Sequence, residues 1–217
     1  MGCWGLAFAA DGSLYTRWDP GGVLRLVLPR EPSGRVSAET VYAARGQGST
    51  GFVMSPDRRK LLILAGQTEG TSSYEELLLF DLASRTSRRI TTHGRRLMRA
   101  AFDASGRVLV TGDADGVVRV GSVDGEEPHL LLGHASYLSS VALSPDGRWV
   151  ASESDDARHL WPMPDLSRPP LHTLPHAELM AKLDALTNLR LVPDPASATG
   201  WKLDVGPVPG WKDVPTW

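Results

Sequence analysis

The sequence has little of several features that would point to particular classes of protein. It contains one cysteine, Cys3, so it cannot form an intrachain disulfide, and nothing indicates an oxidising compartment. It has 23 Lys and Arg against 25 Asp and Glu, and the formal net charge of -2 gives no field that would attract nucleic acid or acidic lipid. No secretory signal and no apolar run of membrane-spanning length is present. We therefore expect a soluble, cytoplasmic protein without a nucleic-acid or membrane partner.

Motifs for catalysis and cofactor binding are also missing. The Gly-Gln-Gly sequence at residues 46–48 lacks the lysine of a phosphate-binding loop, and kinase signatures and a nucleophile elbow are absent. His172 and His176 are four residues apart, but a proline separates them and no acidic or cysteine ligand is adjacent. Asp113 and Asp115 resemble the opening of a calcium loop, but the closing ligands are missing and a turn explains them. The sequence predicts no enzyme, no cofactor and no metal.

What the sequence does contain is an internal repeat. The stretch HGRRLMRAAFDASGRVLVTGDADGVVRV begins at His93, and HASYLSSVALSPDGRWVASESDDARHLW begins at His134, an offset of 41 residues. Two weaker copies begin at Trp4 and Gly51, each with an apolar run followed by an Asp-centred turn. This period, with short apolar runs separated by Gly, Asp, Ser and Pro, is typical of a four-stranded propeller blade.

The last copy shows the expected strand order most clearly. We expect strands at Leu138–Leu143, Arg148–Glu153, Ala157–Trp161 and Leu171–Leu174, with a tight turn at residues 144–147. One such sheet cannot bury both of its faces alone, so the copies are expected to stack.

The His134 copy, with its SPDG turn and the HLW ending at Trp161, resembles a WD repeat. The resemblance implies an all-β fold, a partial WD-repeat β-propeller of about four blades with a small α/β C-terminal tail. It also implies an internal hydrogen-bonded set of a His, a strand Ser or Thr, a turn Asp and a Trp. In the last copy this structural network would consist of His134, Ser152, Asp156 (or Asp155) and Trp161. In the preceding copy it would consist of His93, Thr111 and Asp115, with Gly121 where Trp is expected.

The repeat boundaries divide the chain into blades and a tail. The blades are expected at about residues 1–45, 46–91, 92–133 and 134–174, and the C-terminal tail at 175–217. In the tail, helical spacing of apolar residues follows Pro175, at Leu179, Met180, Leu183 and Leu186. An alternating strand is expected at Trp201–Val205. The tail and its tryptophans, Trp201, Trp211 and Trp217, are expected to cap the last blade; a partner-binding surface is the alternative.

Four blades are the minimum for a closed propeller. We therefore expect the C-terminal fragment of a longer propeller protein, with self-closure, self-association or a complementing chain as alternatives. The chain resembles the C-terminal part of bacterial multi-domain WD-repeat proteins, which implies a non-catalytic scaffold that binds other proteins. Because some of those proteins have a Ser/Thr kinase half, the alternative is the sensing or substrate-recruiting region of a kinase. Inserted loops at Arg45–Thr50 and Gly66–Ser73 are the expected contact points.

Overall fold

The computed structural model describes residues 5–18, 22–29, 31, 34–43, 51–69, 72–186, 189–197 and 200–205. Within these residues the chain is almost entirely antiparallel β-structure, which confirms the predicted all-β fold class. The strands form three four-stranded sheets, one three-stranded sheet and one two-stranded hairpin, and each four-stranded sheet is a meander in chain order.

The elements follow one another along the chain as follows. The first sheet consists of β1 (Leu6–Phe8), β2 (Leu14–Trp18), β3 (Gly22–Val27) and β4 (Ser37–Ala43). The second sheet consists of β5 (Gly51–Met54), β6 (Lys60–Glu69), β7 (Ser72–Asp81) and β8 (Thr86–Ile90). The third consists of β9 (Leu97–Phe102), β10 (Val108–Asp113), β11 (Val117–Ser122) and β12 (His129–Leu132), and the fourth of β13 (Leu138–Leu143), β14 (Trp149–Ser154) and β15 (Arg158–Pro162). The tail contains a 3-10 helix (Leu171–Thr173), α1 (His176–Leu186), β16 (Leu189–Pro193) and β17 (Trp201–Val205).

Side-chain hydrogen bonds fix the turn between the first two strands of a sheet. In the fourth sheet, Ser144 Oγ donates to Asp146 Oδ1 at 2.5 Å. The third sheet uses the same two residue types in the opposite order, because Ser105 Oγ donates to Asp103 Oδ2 at 2.6 Å. Short polar side chains that bond to their own turn favour this local conformation over helix or extended strand. The repeated Ser and Asp positions in the sequence are therefore explained by turn chemistry.

The hydrophobic core lies between successive sheets. Leu61 and Ile63 of β6 pack against the first sheet, whereas Leu62 and Leu64 of the same strand pack against the third. Successive side chains of a strand point to opposite faces, so a sheet buried on both sides needs a continuous apolar run. The LLIL sequence of β6 supplies such a run.

Each of the two end sheets has one packed face and one exposed face. On β1, Leu6 and Phe8 are 55% and 51% exposed. On the fourth sheet, Leu160 is 65% exposed and Trp149 is 37% exposed. The four sheets therefore form an open array in which both ends present apolar side chains.

The predicted fourth strand of the last copy, Leu171–Leu174, is wrong. Residues Leu171–Thr173 form a 3-10 helix in which Thr173 N–H donates to Pro170 O at 3.0 Å. The reason is local, because two consecutive prolines precede this segment and proline cannot donate to a sheet ladder. Within the described residues the fourth sheet has three strands.

The predicted inserted loop at Gly66–Ser73 is also wrong for most of its length. Strands β6 and β7 continue as a hairpin to the pair Glu69 and Ser72. Once the apolar parts of two strands are paired, each further backbone pair extends the ladder and satisfies its N–H and C=O groups. The other predicted loop, Arg45–Thr50, lies outside the described residues.

The tail contains the helix and strand that the sequence predicts, as α1 and β17. Contacts of the chain after β15 reach the third sheet, where His172 Nε2 lies 3.1 Å from Glu127 Oε1. The capping role of the tail stays a prediction, and Trp211 and Trp217 lie outside the described residues. None of the helices in the described ranges is long and apolar enough to cross a membrane.

Candidate functional site

A chain of polar side chains runs through the interior of the fourth sheet. His134, at the entry to the sheet, places Nε2 2.7 Å from Ser152 Oγ on β14. Trp161 on β15 donates its Nε1–H to the same oxygen at 2.8 Å. Ser152 is 4% exposed and His134 is 8% exposed, so these hydrogen bonds are formed away from water. The structure thus brings together three residues of the network implied by the WD-repeat resemblance.

The fourth of those residues, Asp156, is connected through Ser154, which sequence reasoning missed. Ser154 Oγ lies 2.6 Å from His134 Nδ1 and donates to Asp156 Oδ1 at 2.6 Å. Since Ser154 donates its proton to the carboxylate, it accepts one from Nδ1 of His134. Nε2 of His134 is then the acceptor of the Ser152 hydroxyl proton. All donors therefore point in one direction, from Trp161 to the carboxylate of Asp156.

The electrostatics agree with a neutral His134. Burial, with a smaller effect of His159, lowers the pKa of His134 below its ordinary value. The hydrogen bond from Ser154 lowers the pKa of Asp156, which stays ionised at the end of the chain. His159 adds packing, because its ring lies edge-on to His134 at 4.5 Å and stacks on Trp161 at 4.9 Å.

The third sheet contains a shorter version of this arrangement. His93 Nδ1 lies 3.0 Å from Thr111 Oγ1, and both residues are fully buried. The structure does not bring Asp115 to this pair. Asp115 instead accepts a hydrogen bond from Arg96 Nη1 at 2.8 Å, with more than half of both side chains exposed.

In the third sheet an ion pair occupies the two positions that correspond to Ser154 and His159 of the fourth sheet. Asp113 stands at the position of Ser154, and its Oδ2 accepts from Arg119 Nη1 at 2.5 Å. Arg119 lies opposite Thr111 in the strand register, as His159 lies opposite Ser152. The Asp113 side chain is 3% exposed, so this is a buried charge that is paired and also accepts two backbone N–H bonds.

The missing tryptophan changes the environment of His93. Gly121 takes the position of Trp161, and a Cβ atom on Gly121 would lie 2.9 Å from Pro128 Cβ. Among the described residues His93 Nε2 has no hydrogen-bond partner. Burial lowers the pKa of His93 to about 4, so its ring is neutral at pH 7.

These histidines are unsuited to catalysis, because they are buried and bonded within their own sheets. The described residues also hold no cluster of three or more His, Cys, Asp and Glu that could bind a metal ion. The hydrogen-bonded set around His134 connects the loop before the fourth sheet with the second and third strands of that sheet. Because hydrogen bonds require a defined geometry, this connection fixes the alignment of the strands.

A groove of about 290 Å³ lies between the first and second sheets. Its charged side chains neutralise one another. Arg25 Nη2 donates to Asp11 Oδ2 at 2.7 Å, and Arg85 of the second sheet binds both carboxylate oxygens of Glu39 at 2.6 and 2.9 Å. The groove therefore has no excess charge with which to select an ionic ligand, and it serves as a polar seam between two sheets.

The hairpin of β6 and β7 is longer than the two strands that flank it. Among the described residues, β5 pairs with β6 as far as Leu64, and β8 pairs with β7 from Leu77 onward. From the pair Ala65 and Glu76 to the pair Glu69 and Ser72, the described ladder partners of the two strands lie only in each other. At ~3.3 Å per residue this part of the hairpin extends about 16 Å beyond the sheet.

Comparison with known proteins gives a family match in the last two copies of the repeat. Residues 84–120 and 125–158 match the model of "WD domain, G-beta repeat". The chain is 36% identical over 67 residues to WD repeat-containing protein SL1-17 of Schistosoma mansoni, covering 31% of this chain and 22% of that protein. It is 31% identical over 111 residues to protein tipD of Dictyostelium discoideum, covering 50% of this chain and 18% of that protein.

Similar solved structures extend the likeness over most of the chain. A chain of the mitotic checkpoint complex superposes with a TM-score of 0.56 at 20% identity, covering 75% of this chain and 48% of that one. A chain of the Chaetomium thermophilum polycomb repressive complex 2 gives a TM-score of 0.53 at 17% identity, with coverages of 71% and 34%. The protein sequence thus spans about a fifth of the two sequence relatives and less than half of the two structural ones. The fold is a β-propeller fold, and the match to the WD-repeat model covers residues 84–120 and 125–158.

Proposed function

We propose that this chain is a non-catalytic protein–protein interaction module, and that its four sheets are the C-terminal part of a larger propeller. The single observation that carries the interaction role is the projecting hairpin of β6 and β7. Its backbone is held at one end by the second sheet, and at the other end its ladder edges have no neighbouring strand in the part of the chain that the structure describes. A rigid scaffold with a projecting variable element is a common design for binding other proteins.

The larger propeller is supported by the open ends of the array. Propellers contain four to eight blades, and closure buries every face. Here the end sheets retain exposed apolar residues, among them Phe8 and Leu160. The blades of this proposal are residues 1–45, 46–91, 92–133 and 134–174, with residues 175–217 as a capping tail. The His134 and His93 sets would fix strand alignment within the last two blades.

A shortened hairpin tests the interaction role. Replacing residues 66–75 with Asn-Gly would join Ala65 to Glu76, which already face each other, through a two-residue turn suited to antiparallel strands. We expect this variant to keep the wild-type melting temperature and to lose the proteins that the tagged wild-type chain binds in its host, measured by quantitative mass spectrometry. Unchanged binding by a folded variant would contradict the role of the hairpin.

The alternative, a sensing or substrate-recruiting region of a bacterial Ser/Thr kinase, remains a prediction together with a cytoplasmic location. Reading the DNA upstream of the Met1 codon tests it directly. A kinase domain in frame or across a frameshift would favour the kinase, and only further repeats would favour the scaffold.

A further inference from the structure

The two exposed end faces carry residues whose counterparts are packed elsewhere in the same array. On the free face of the fourth sheet, Ala142, Ala151 and Leu160 lie side by side on β13, β14 and β15. All three are exposed, and Leu160 is the most exposed of them at 65%. This row faces away from the core that the fourth sheet shares with the third.

The corresponding row of the third sheet packs against a neighbouring sheet. At the repeat offset of 41 residues, Ala142 corresponds to Ala101 and Ala151 to Val110. Leu160 corresponds to Val120, which lies opposite Val110 in the register as Leu160 lies opposite Ala151. Ala101, Val110 and Val120 are packed against the fourth sheet. The free face of the fourth sheet is therefore a blade-contact face that no sheet covers within the described ranges.

The free face of the first sheet resembles the other half of that contact, the face by which the fourth sheet packs on the third. Phe8, Leu14 and Leu26 lie side by side on its free face, because Leu14 is paired with both of the others. In the fourth sheet the row of this kind is Leu143, Val150 and Trp161, and it packs against the third sheet. The free face of the first sheet is therefore a blade-contact face on which no described sheet packs.

Charge does not oppose a contact between the two free faces. The residues of β1, β2 and β3 that share the side of Phe8 carry no charge; they are Leu6, Leu14, Thr16, Trp18, Leu24 and Leu26. On the fourth sheet the charges of this face are Glu153 and Arg158, which neutralise each other at 2.7 Å. Both faces can thus be buried without leaving an unpaired charge.

We infer that the free face of the fourth sheet docks on the free face of the first sheet in a second copy of this chain. Two copies arranged head to tail make two such contacts and assemble eight sheets, the upper end of the usual propeller range. A second copy is favoured because both halves of the contact are present on one chain, so the assembly leaves neither face exposed. The inference rests on the proposed ring of more than four blades but takes the other blades from a second copy instead of from a longer chain. It concerns the sheet faces rather than the β6–β7 hairpin.

The mass of the purified 217-residue chain tests this assembly. We expect sedimentation velocity to give twice the chain mass, with dissociation on dilution. Leu160→Glu should weaken the dimer by roughly a hundredfold or more, because the carboxylate would be buried in an apolar contact. Leu132→Glu is the matched control, since Leu132 is also 65% exposed but lies on an outer strand between two packed sheets. A wild-type monomer, or a ladder of larger masses, would overturn the inference.

Mixing two variants tests the head-to-tail arrangement. Phe8→Glu alters only the first sheet and Leu160→Glu only the fourth, so each alone should be monomeric in the range where the wild type is a dimer. In the mixture one of the two contacts is formed by unaltered faces, and we expect a mixed dimer to appear. If Phe8→Glu alone stays dimeric, or the mixture stays monomeric, the arrangement is refuted. Binding of host proteins through the hairpin is measured separately, so its loss or survival does not decide this result.

Discussion

His93 should make the stability of this protein depend on pH in the range between pH 6.5 and pH 4. The ring is fully buried, Nδ1 lies 3.0 Å from Thr111 Oγ1, and burial lowers the pKa to about 4 from an ordinary value of 6.5. In this range the unfolded chain binds a proton that the folded chain does not, so the free energy of unfolding falls as the pH falls. The contribution is complete above pH 6.5 and is lost progressively toward pH 4.

The size of this effect follows from the two pKa values. The full difference corresponds to about 3 kcal/mol, and the part lost between pH 7.5 and pH 5 is about 2 kcal/mol. His93→Asn removes the titrating group and keeps an amide that can bond to Thr111. We therefore measure the free energy of unfolding in urea at a fixed protein concentration. Between pH 7.5 and pH 5 it should fall by about 2 kcal/mol less in the variant than in the wild type.

Other groups also titrate in this range, so the comparison needs a matched histidine. His176→Asn, at the exposed start of α1, keeps His93 and should keep the wild-type slope. Equal slopes for the wild type and His93→Asn would refute the assignment of a neutral buried ring to His93.

Two further predictions concern the buried polar sets. Ser152→Ala should lower the free energy of unfolding by about 1–3 kcal/mol, because the buried His134 ring and the half-buried Trp161 ring lose their common partner. Ser140→Ala on the exposed face of the same sheet should change it by less than about 0.5 kcal/mol, and equal effects in urea melts would contradict the network. Arg119→Met should cost about 3 kcal/mol or more by leaving the Asp113 carboxylate buried and unpaired. Arg96→Met, which removes the exposed ion pair with Asp115, should lower the free energy of unfolding by less than about 1 kcal/mol. A similar loss in both variants would argue against a buried ion pair.

The strands with the clearest apolar pattern could be predicted from the sequence because their signals are local. In the last copy Leu138–Leu143 is predicted as β13, and the Ser and Asp residues between β13 and β14 mark the turn. The 41-residue period also aligns His93 with His134, which leads to both polar sets. Alternation and turn chemistry act within a few residues, so they can be recognised without tertiary information.

The missed features depend on pairing between distant residues. The Gly, Thr and Ser residues around 66–73 have loop-like composition, yet backbone pairing with β7 extends β6 to Glu69. The groove between the first two sheets brings Arg85 to Glu39 across 46 residues, which no local pattern indicates. Ser154 was missed because its role depends on the position of the His134 ring.

The third and fourth sheets show two ways to satisfy the same buried positions. The fourth sheet places Ser154 and His159 where the third places Asp113 and Arg119, and Ser154 bonds to His134 where Asp113 forms an ion pair. The carboxylate of the third sheet could not be placed at position 154 alone. It would lie beside the Asp156 carboxylate, and residue 159 is not an arginine that could neutralise it. In the third sheet, which has Gly121 where the fourth has Trp161, a buried ion pair connects β10 to β11. The third sheet therefore holds its strands in register by a buried ion pair, whereas the fourth sheet uses hydrogen bonds among His134, Ser152 and Trp161.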